Sequence, residues 1–320
     1  MKLRRVPGTE IDVSPVCLGT MTYGRPVGKA EAIRLTHLAL DLGINFIDTA
    51  NIYEGYARVL GSAGGVAEEI LGEALQGRRD RAVLTTKVGN PVGQGPEETG
   101  LGQQHVLREL EKSLRRLRTD HVDFYLAHRP DPSTPLEGVV DLFDSLVKSG
   151  KIRHWGFSNF EVADIHKMAQ IAASEGYHPP RLSQPRYSLL VRDIEKEHLP
   201  VCRQYEIGVT AFRVLEGGLL SGKYVAGATP PEGSRAREMP SWVPTESQSE
   251  AAFRKIRAIT EVAHAARITP AQCAIAWVTA QGGISAAVVG VTREEQLRDA
   301  ARAAELRLDA ASLEKLQMLP

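Results

Sequence analysis

Short runs of β-branched and aromatic residues alternate with longer stretches in which apolar positions recur every three or four residues, almost from end to end of the chain. The first pattern suits a buried strand and the second an amphipathic helix, so the alternation predicts βα units around a parallel sheet. Strand-like runs begin near Val16, Asn45, Ala82, His121, Ile152, Arg181, Val209 and Ala286. Eight such units predict a closed (β/α)₈ barrel, an α/β fold whose site lies at the mouth formed by the C-terminal ends of the strands. The first seven starts stand about 28 to 39 residues apart, whereas the gap before the eighth is far longer. The seventh βα loop is therefore expected to carry an insertion. Ahead of the first barrel strand, Leu3 to Gly8 and Ile11 to Val13 read as a β-hairpin plug.

Helix signals fill the gaps. Lys29 to Leu42 carries an apolar stripe and ends at Gly43, where a left-handed cap belongs. Gln103 to Leu117 puts Val106, Leu110, Leu114 and Leu117 on one face and mostly charged residues on the other. Leu136 to Val147 ends at Ser149-Gly150 in the same way, and a last helix runs from Ala310 to Met318. Two stretches break the rhythm: Glu54 to Gly65, and Val225 to Ser249, which is rich in Pro, Gly, Ser and charge. Both follow barrel strands at the mouth end, so each is expected to be either a surface excursion or a wall of a substrate pocket.

A chain of 320 residues can form one such barrel as a single domain spanning 1–320, large enough to withdraw roughly three quarters of its unfolded surface from water. Lys plus Arg and Asp plus Glu each number 39, so the formal net charge is zero. That balance argues against nucleic acid or an anionic membrane as the main partner. Cys17, Cys202 and Cys273 are odd in number and far apart, which predicts free thiols and a reducing cytoplasm. No stretch approaches the ~20 apolar residues of a membrane span, and the basic N-terminus lacks the apolar run of a signal peptide. No set of metal ligands is assigned.

Four residues stand at or just past successive strand-like runs: Asp48, Tyr53, Lys87 and His128. A phenol with a pKa of ~10 is a weak acid at neutral pH, and an adjacent ammonium lowers that value. Lys87 can supply the ammonium, Asp48 can hold it charged, and His128 can orient a carbonyl oxygen against the Tyr53 hydroxyl. Such a set polarises a C=O and gives it a proton while a hydride arrives from elsewhere. Singly, each residue has a plainer use: a turn aspartate, a half-buried aromatic, a strand-end lysine, a satisfied loop histidine.

The words around these residues resemble the aldo-keto reductase family over nearly the whole chain. Leu18-Gly19-Thr20-Met21 is similar to its first strand, and Gly43-Ile44-Asn45-Phe46-Ile47-Asp48-Thr49-Ala50 with Tyr53 to its second. Asp123 to Asp131 resembles the fourth, and Gly150-Lys151-Ile152-Arg153 with Gly156-Phe157-Ser158-Asn159-Phe160 the fifth. The resemblance implies that Asp48, Tyr53, Lys87 and His128 form a catalytic tetrad with Tyr53 as general acid.

It also implies a nicotinamide cofactor, NADPH or NADP⁺, although no Gly-x-Gly-x-x-Gly follows a strand. By the resemblance, Ser158, Asn159 and Gln184 would bind the carboxamide and Phe212 would stack on the ring. Arg213 stands where the family has a small polar residue. Leu215, Gly217, Gly218, Leu220 and Lys223 belong to a Gly-Gly-Leu-Leu-x-Gly-Lys loop that would fold over the pyrophosphate. That string also fits Gly-x-x-x-x-Gly-Lys, but Tyr224 stands in place of the Ser or Thr whose hydroxyl binds magnesium in a triphosphate loop. Gly290, Thr292, Arg293, Gln296 and Asp299 would meet the adenosine end, with Arg293 and helix N–H groups suited to a 2′-phosphate. Ala300 departs from the family's common Asn.

The expected activity is NADPH-dependent reduction of a small-molecule aldehyde or ketone. The loops around Tyr23, Tyr56 and Trp242 would select the substrate. Two other readings remain: a cofactor-binding sensor or regulator, since potassium-channel β subunits share the scaffold, and a barrel enzyme forming a Schiff base at Lys87.

Overall fold

The computed structural model describes residues 1–225, 228–243 and 249–319, except for the side chains of Ala57 and Trp242. Strands β1 (Arg4–Arg5) and β2 (Asp12–Val13) form an antiparallel hairpin. The next eight strands are β3 (Val16–Gly19), β4 (Phe46–Asp48), β5 (Val83–Val88), β6 (Val122–Ala127), β7 (Ile152–Ser158), β8 (Leu182–Gln184), β9 (Gly208–Ala211) and β10 (Ile284–Gly290). They pair in parallel in chain order, and β10 pairs back onto β3 to close the barrel. The fold is the expected (β/α)₈ barrel with its hairpin plug.

Between the strands lie α1 (Lys29–Asp41), α2 (Val66–Ala74), α3 (Gln103–Leu117), α4 (Leu136–Lys148), α5 (Val162–Glu175) and α6 (His198–Gln204). The long seventh loop explains the missing spacing. It holds a 3₁₀ segment (Glu216–Ser221), α7 (Arg235–Glu238), a 3₁₀ turn (Pro240–Trp242), α8 (Glu250–Ala265) and α9 (Pro270–Ala280). The last two are full helices, and Thr269 with Gln272 forms a capping box on α9 ahead of Pro270. Then α10 (Glu294–Ala303) and α11 (Ala310–Gln317) follow β10. Among the described residues no helix is long and apolar enough to cross a membrane.

Strand alternation sorts the side chains into two cores. Outward residues such as Ile47, Leu84, Tyr125 and Trp155 pack with the helices. Inward residues Cys17, Phe46, Phe124, Leu126, Leu182 and Ala286 pack on Val6, Ile11 and Val13 of the hairpin segment, which shuts the N-terminal end of the barrel. One step further along the inward rows come Asp48, Lys87, Ser158 and Gln184. The fold thus brings its polar inward residues together at one end because the hairpin and an apolar layer fill the other.

Two glycines permit close approach. A Cβ at Gly72 on α2 would lie 2.0 Å from the Arg116 carbonyl oxygen of α3, and one at Gly156 on β7 would lie 1.9 Å from that of Leu182 on β8. Gly156→Ala should therefore force β7 from β8, costing about 1–3 kcal/mol of unfolding free energy. Urea titration of the variant against the parent measures this; an unchanged midpoint would mean that the strands part freely.

Candidate active site

Asp48 ends β4, Lys87 is the fifth residue of β5, and His128 follows β6 directly. Their positions in neighbouring strands aim all three inward at the mouth. Tyr53 comes from the loop after β4, its N–H held by the Ala50 carbonyl and its own carbonyl by the Ala67 N–H. The Lys87 ammonium is fully buried and uses its three donors at once. It donates to Asp48 Oδ2 at 2.7 Å, to the Thr49 carbonyl at 2.8 Å and to the Tyr53 hydroxyl at 3.3 Å. Asp48 Oδ1 accepts from Gln184 Nε2 at 2.8 Å, so both carboxylate oxygens are engaged.

The chain of contacts continues round the mouth. Ser158 Oγ donates to the Gln184 carbonyl at 2.7 Å, while Asn159 Nδ2 donates to Ser158 Oγ at 2.9 Å and to the His128 carbonyl at 3.0 Å. Asn159 takes φ 63°, a left-handed conformation that Asn tolerates better than most residues. His128 and Tyr53 meet edge to face, ring centroids 6.0 Å apart. The collar links the residues expected to bind the carboxamide to those expected to carry the proton.

Electrostatics follow from burial. Burial pushes the Tyr53 phenol above its ordinary value, and the Lys87 charge, which lowers it, offsets only part of that rise. The expected lowering influence of the Lys87 ammonium is present, but desolvation outweighs it. Burial alone would lower Lys87, but the Asp48 charge and the bonds to Asp48 and Tyr53 outweigh it, and the amine is held above its ordinary value. Burial, then the charges of Lys87 and Arg129, drive His128 well below the usual histidine range. Its ring is therefore neutral at pH 7, and its buried Nδ1 meets no hydrogen-bond partner among the described residues. A weak acid is thus held protonated beside a fixed cation and a neutral imidazole.

The model described as "Aldo/keto reductase family" matches residues 15–319. The chain belongs to the aldo/keto reductase family. A relative named "Uncharacterized oxidoreductase YrpG", from Bacillus subtilis, is 36% identical over 315 residues, covering 96% of this chain and 92% of its own. A "Probable voltage-gated potassium channel subunit beta" of Arabidopsis thaliana is 31% identical, over 96% and 92% of the two chains. A "Putative voltage-gated potassium channel subunit beta" of Schizosaccharomyces pombe is 34% identical, over 90% and 83%.

In this aldo/keto reductase chain the other expected site residues are unevenly disposed. Phe212 and Leu215 are half-buried near the mouth, and Arg213 takes φ 57°. Gly217 and Gly218, at φ 68° and 98°, turn the loop left-handed, and Lys223 is exposed with Nζ 5.2 Å from the Tyr224 ring centroid. Leu220 is fully buried, so only its backbone can face a ligand. Gly290 ends β10 exposed, opposite Gly19. Gln296 turns back to accept from the Thr292 N–H at 2.8 Å, and Asp299 accepts from Gln272 of α9 at 3.1 Å. Each therefore has one oxygen committed to an intramolecular bond. Arg293 caps α10, its side chain 70% exposed with Glu295 3.8 Å away.

Of the three residues expected to line a substrate pocket, Tyr23 departs outright. It is fully buried, its hydroxyl bonded to Thr36 of α1, because its ring joins the apolar cluster that includes Ala32 and Leu35 of that helix. Tyr56 is half-buried at the rim, and its hydroxyl accepts from Arg235 of α7 at 3.1 Å, bridging the second and seventh loops. The Trp242 side chain lies outside the described residues. A cleft of about 550 Å³ opens elsewhere, beside α5 and the start of β8, but Tyr177, Pro179, Arg181 and Tyr205 in its wall form no acid–base set. Sequence reading missed Asn51 and Glu109, which share a buried hydrogen bond of 3.0 Å. The signal was a carboxylate between Val106 and Leu110 on the apolar stripe of α3, which can be buried only with a partner.

Lys87→Met should leave Asp48 buried without its cation and cost about 3–5 kcal/mol, part of which adding Asp48→Asn should restore. It should also raise the His128 pKa, because a repelling charge is gone. Wild-type His128 should stay neutral as pH falls below 6.5, where ordinary histidines take a proton. Denaturant unfolding and ring nitrogen shifts followed from pH 8 to 5 check both. A double variant no more stable than Lys87→Met, or an unmoved His128, would contradict this account of the pair.

Proposed function

We propose that this chain is an oxidoreductase that reduces an aldehyde or ketone to an alcohol, with NADPH as reductant and Tyr53 as proton donor. The observation that carries the reading is the Lys87 ammonium shared between Asp48 at 2.7 Å and the Tyr53 hydroxyl at 3.3 Å. Membership of the aldo/keto reductase family and the oxidoreductase name of the Bacillus subtilis relative support it.

The residues present fit a nicotinamide. Gln184 spends its N–H on Asp48 and keeps its oxygen for an N–H of the carboxamide, while exposed Asn159 presents an amide beside it. At the other end Arg293 and the first-turn N–H groups of α10 suit a 2′-phosphate. Bound across the mouth, the cofactor would supply hydride to the carbonyl carbon. Tyr53 then gives its proton to the carbonyl oxygen, and the Lys87 ammonium steadies the phenolate left behind. Neutral His128 orients that oxygen. In the reverse direction Tyr53 must first lose its proton, so alcohol oxidation should quicken with rising pH while reduction stays level until the phenol titrates above pH 10.

A Schiff base at Lys87 fits poorly, since its amine is held charged and its three donors are engaged. A regulatory role is favoured by the names of the plant and yeast relatives alone. Oxidation of NADPH in a screen of aldehydes and ketones separates that reading from catalysis.

Tyr53→Phe should lose about 10²- to 10⁴-fold in turnover, the scale of a positioned acid, and keep cofactor affinity within a few fold. Near-normal turnover would point to another proton donor. Arg293→Ala should weaken NADPH about tenfold or more and NADH hardly at all, with the preference shrinking as salt rises. Fluorescence titration of both cofactors decides, and equal losses would remove Arg293 from the phosphate site.

A further inference from the structure

Behind the tetrad, between the barrel wall and α3, a carboxylate is buried where an apolar residue would fill the space more cheaply. Glu109 is fully buried; its Oε2 accepts from Asn51 Nδ2 at 3.0 Å and its Oε1 from Lys112 Nζ at 2.7 Å. Asn51 is itself fully buried and lies two residues before Tyr53. Its backbone N–H donates to the Lys87 carbonyl at 3.2 Å, and the Lys87 ammonium donates to the carbonyl of Thr49. The segment from Thr49 to Asn51 is thus gripped by Lys87 from the barrel side and by Glu109 from the helix side. Tyr53 leaves directly from that clamp.

From these contacts we infer that Glu109 is a positioning residue that, through Asn51, sets the distance between the Tyr53 hydroxyl and the Lys87 ammonium. The inference rests on reading the barrel mouth as an acid–base site. A charge acts on a neighbouring phenol in inverse proportion to distance, so moving Tyr53 away from Lys87 weakens both the charge and the hydrogen bond that lower its pKa. Lys87, Asp48 and Cys17 are the charged or titratable groups that act on Tyr53, and His128 faces its ring. Around Glu109 stand Lys112 and His105 of α3 and Glu98 of the preceding loop. Glu98, His105 and Glu109 place possible ligand atoms within 4.8 Å of one another, but Arg108 and Lys112 already match both carboxylates in charge. The negative end of Glu109 is therefore spent on Lys112 and on holding Asn51.

The test uses the full chain without cofactor or substrate. Tyrosinate absorbance is followed after rapid mixing to alkaline pH for wild type, Asn51→Ala, Glu109→Ala and Glu109→Gln, each against the same protein carrying Tyr53→Phe. The difference isolates Tyr53. Both alanine variants should raise the Tyr53 titration by about one unit. They should also lower kcat for carbonyl reduction by about tenfold to 10²-fold, with KM little changed. Glu109→Gln should stay near wild type, because its amide oxygen can still accept from Asn51. If Glu109→Ala fails to fold, Asn51→Ala carries the test from the other partner. An unmoved Tyr53 titration in a folded alanine variant overturns the inference, as does a Glu109→Gln protein as impaired as Glu109→Ala. Lack of carbonyl turnover in the wild type would count against the proposed reaction alone, since the titration is read without it.

Discussion

A lysine charge with no access to water is the constraint around which this mouth is arranged. A buried ammonium is tolerable only with a counter-charge and full hydrogen bonding, and Lys87 has both in Asp48, the Thr49 carbonyl and Tyr53. Those requirements dictate what surrounds it. Asp48 needs a donor for its second oxygen and finds Gln184 on β8, four strands away. The polar collar is therefore the set of groups that makes one buried charge tolerable, and the same groups face the barrel mouth.

The barrel supplies the geometry through periodicity. Inward positions on neighbouring parallel strands form layers, so Asp48, Lys87, Ser158 and Gln184 reach one level although far apart in the chain. Below them the layer of Phe46, Phe124 and Leu182 is apolar and buried. A low-dielectric floor strengthens every charge interaction above it, which is why burial weighs so heavily on Tyr53 and His128.

How legible this was in the sequence depended on the range of the interactions. The eight strands, the hairpin and α1, α3 and α4 were readable because their signals are local: alternation, helical stripes and a glycine just past α1. The meeting of Asp48, Tyr53, Lys87 and His128 at one mouth was readable because their strand words resemble those of the family. Tyr23 misled because an aromatic in a mouth-side loop looks the same in sequence whether its ring faces the opening or, as here, the helix layer. The Gln184–Asp48 bond joins residues 136 positions apart, and no local pattern announces it. The desolvation of Tyr53 also escaped. A neighbouring charge can be guessed from strand order, but the competing desolvation depends on packing from all sides.

The hairpin at the base of the barrel bears on more than stability. With Val6, Ile11 and Val13 packed into that end, the polar chamber is a cul-de-sac. Among the described residues, the way in and out above Lys87 runs past the rim where Tyr56 reaches across to Arg235. Two molecules seated there would have to queue: one deep among Ser158 and Gln184 would be shut in by one nearer the lip.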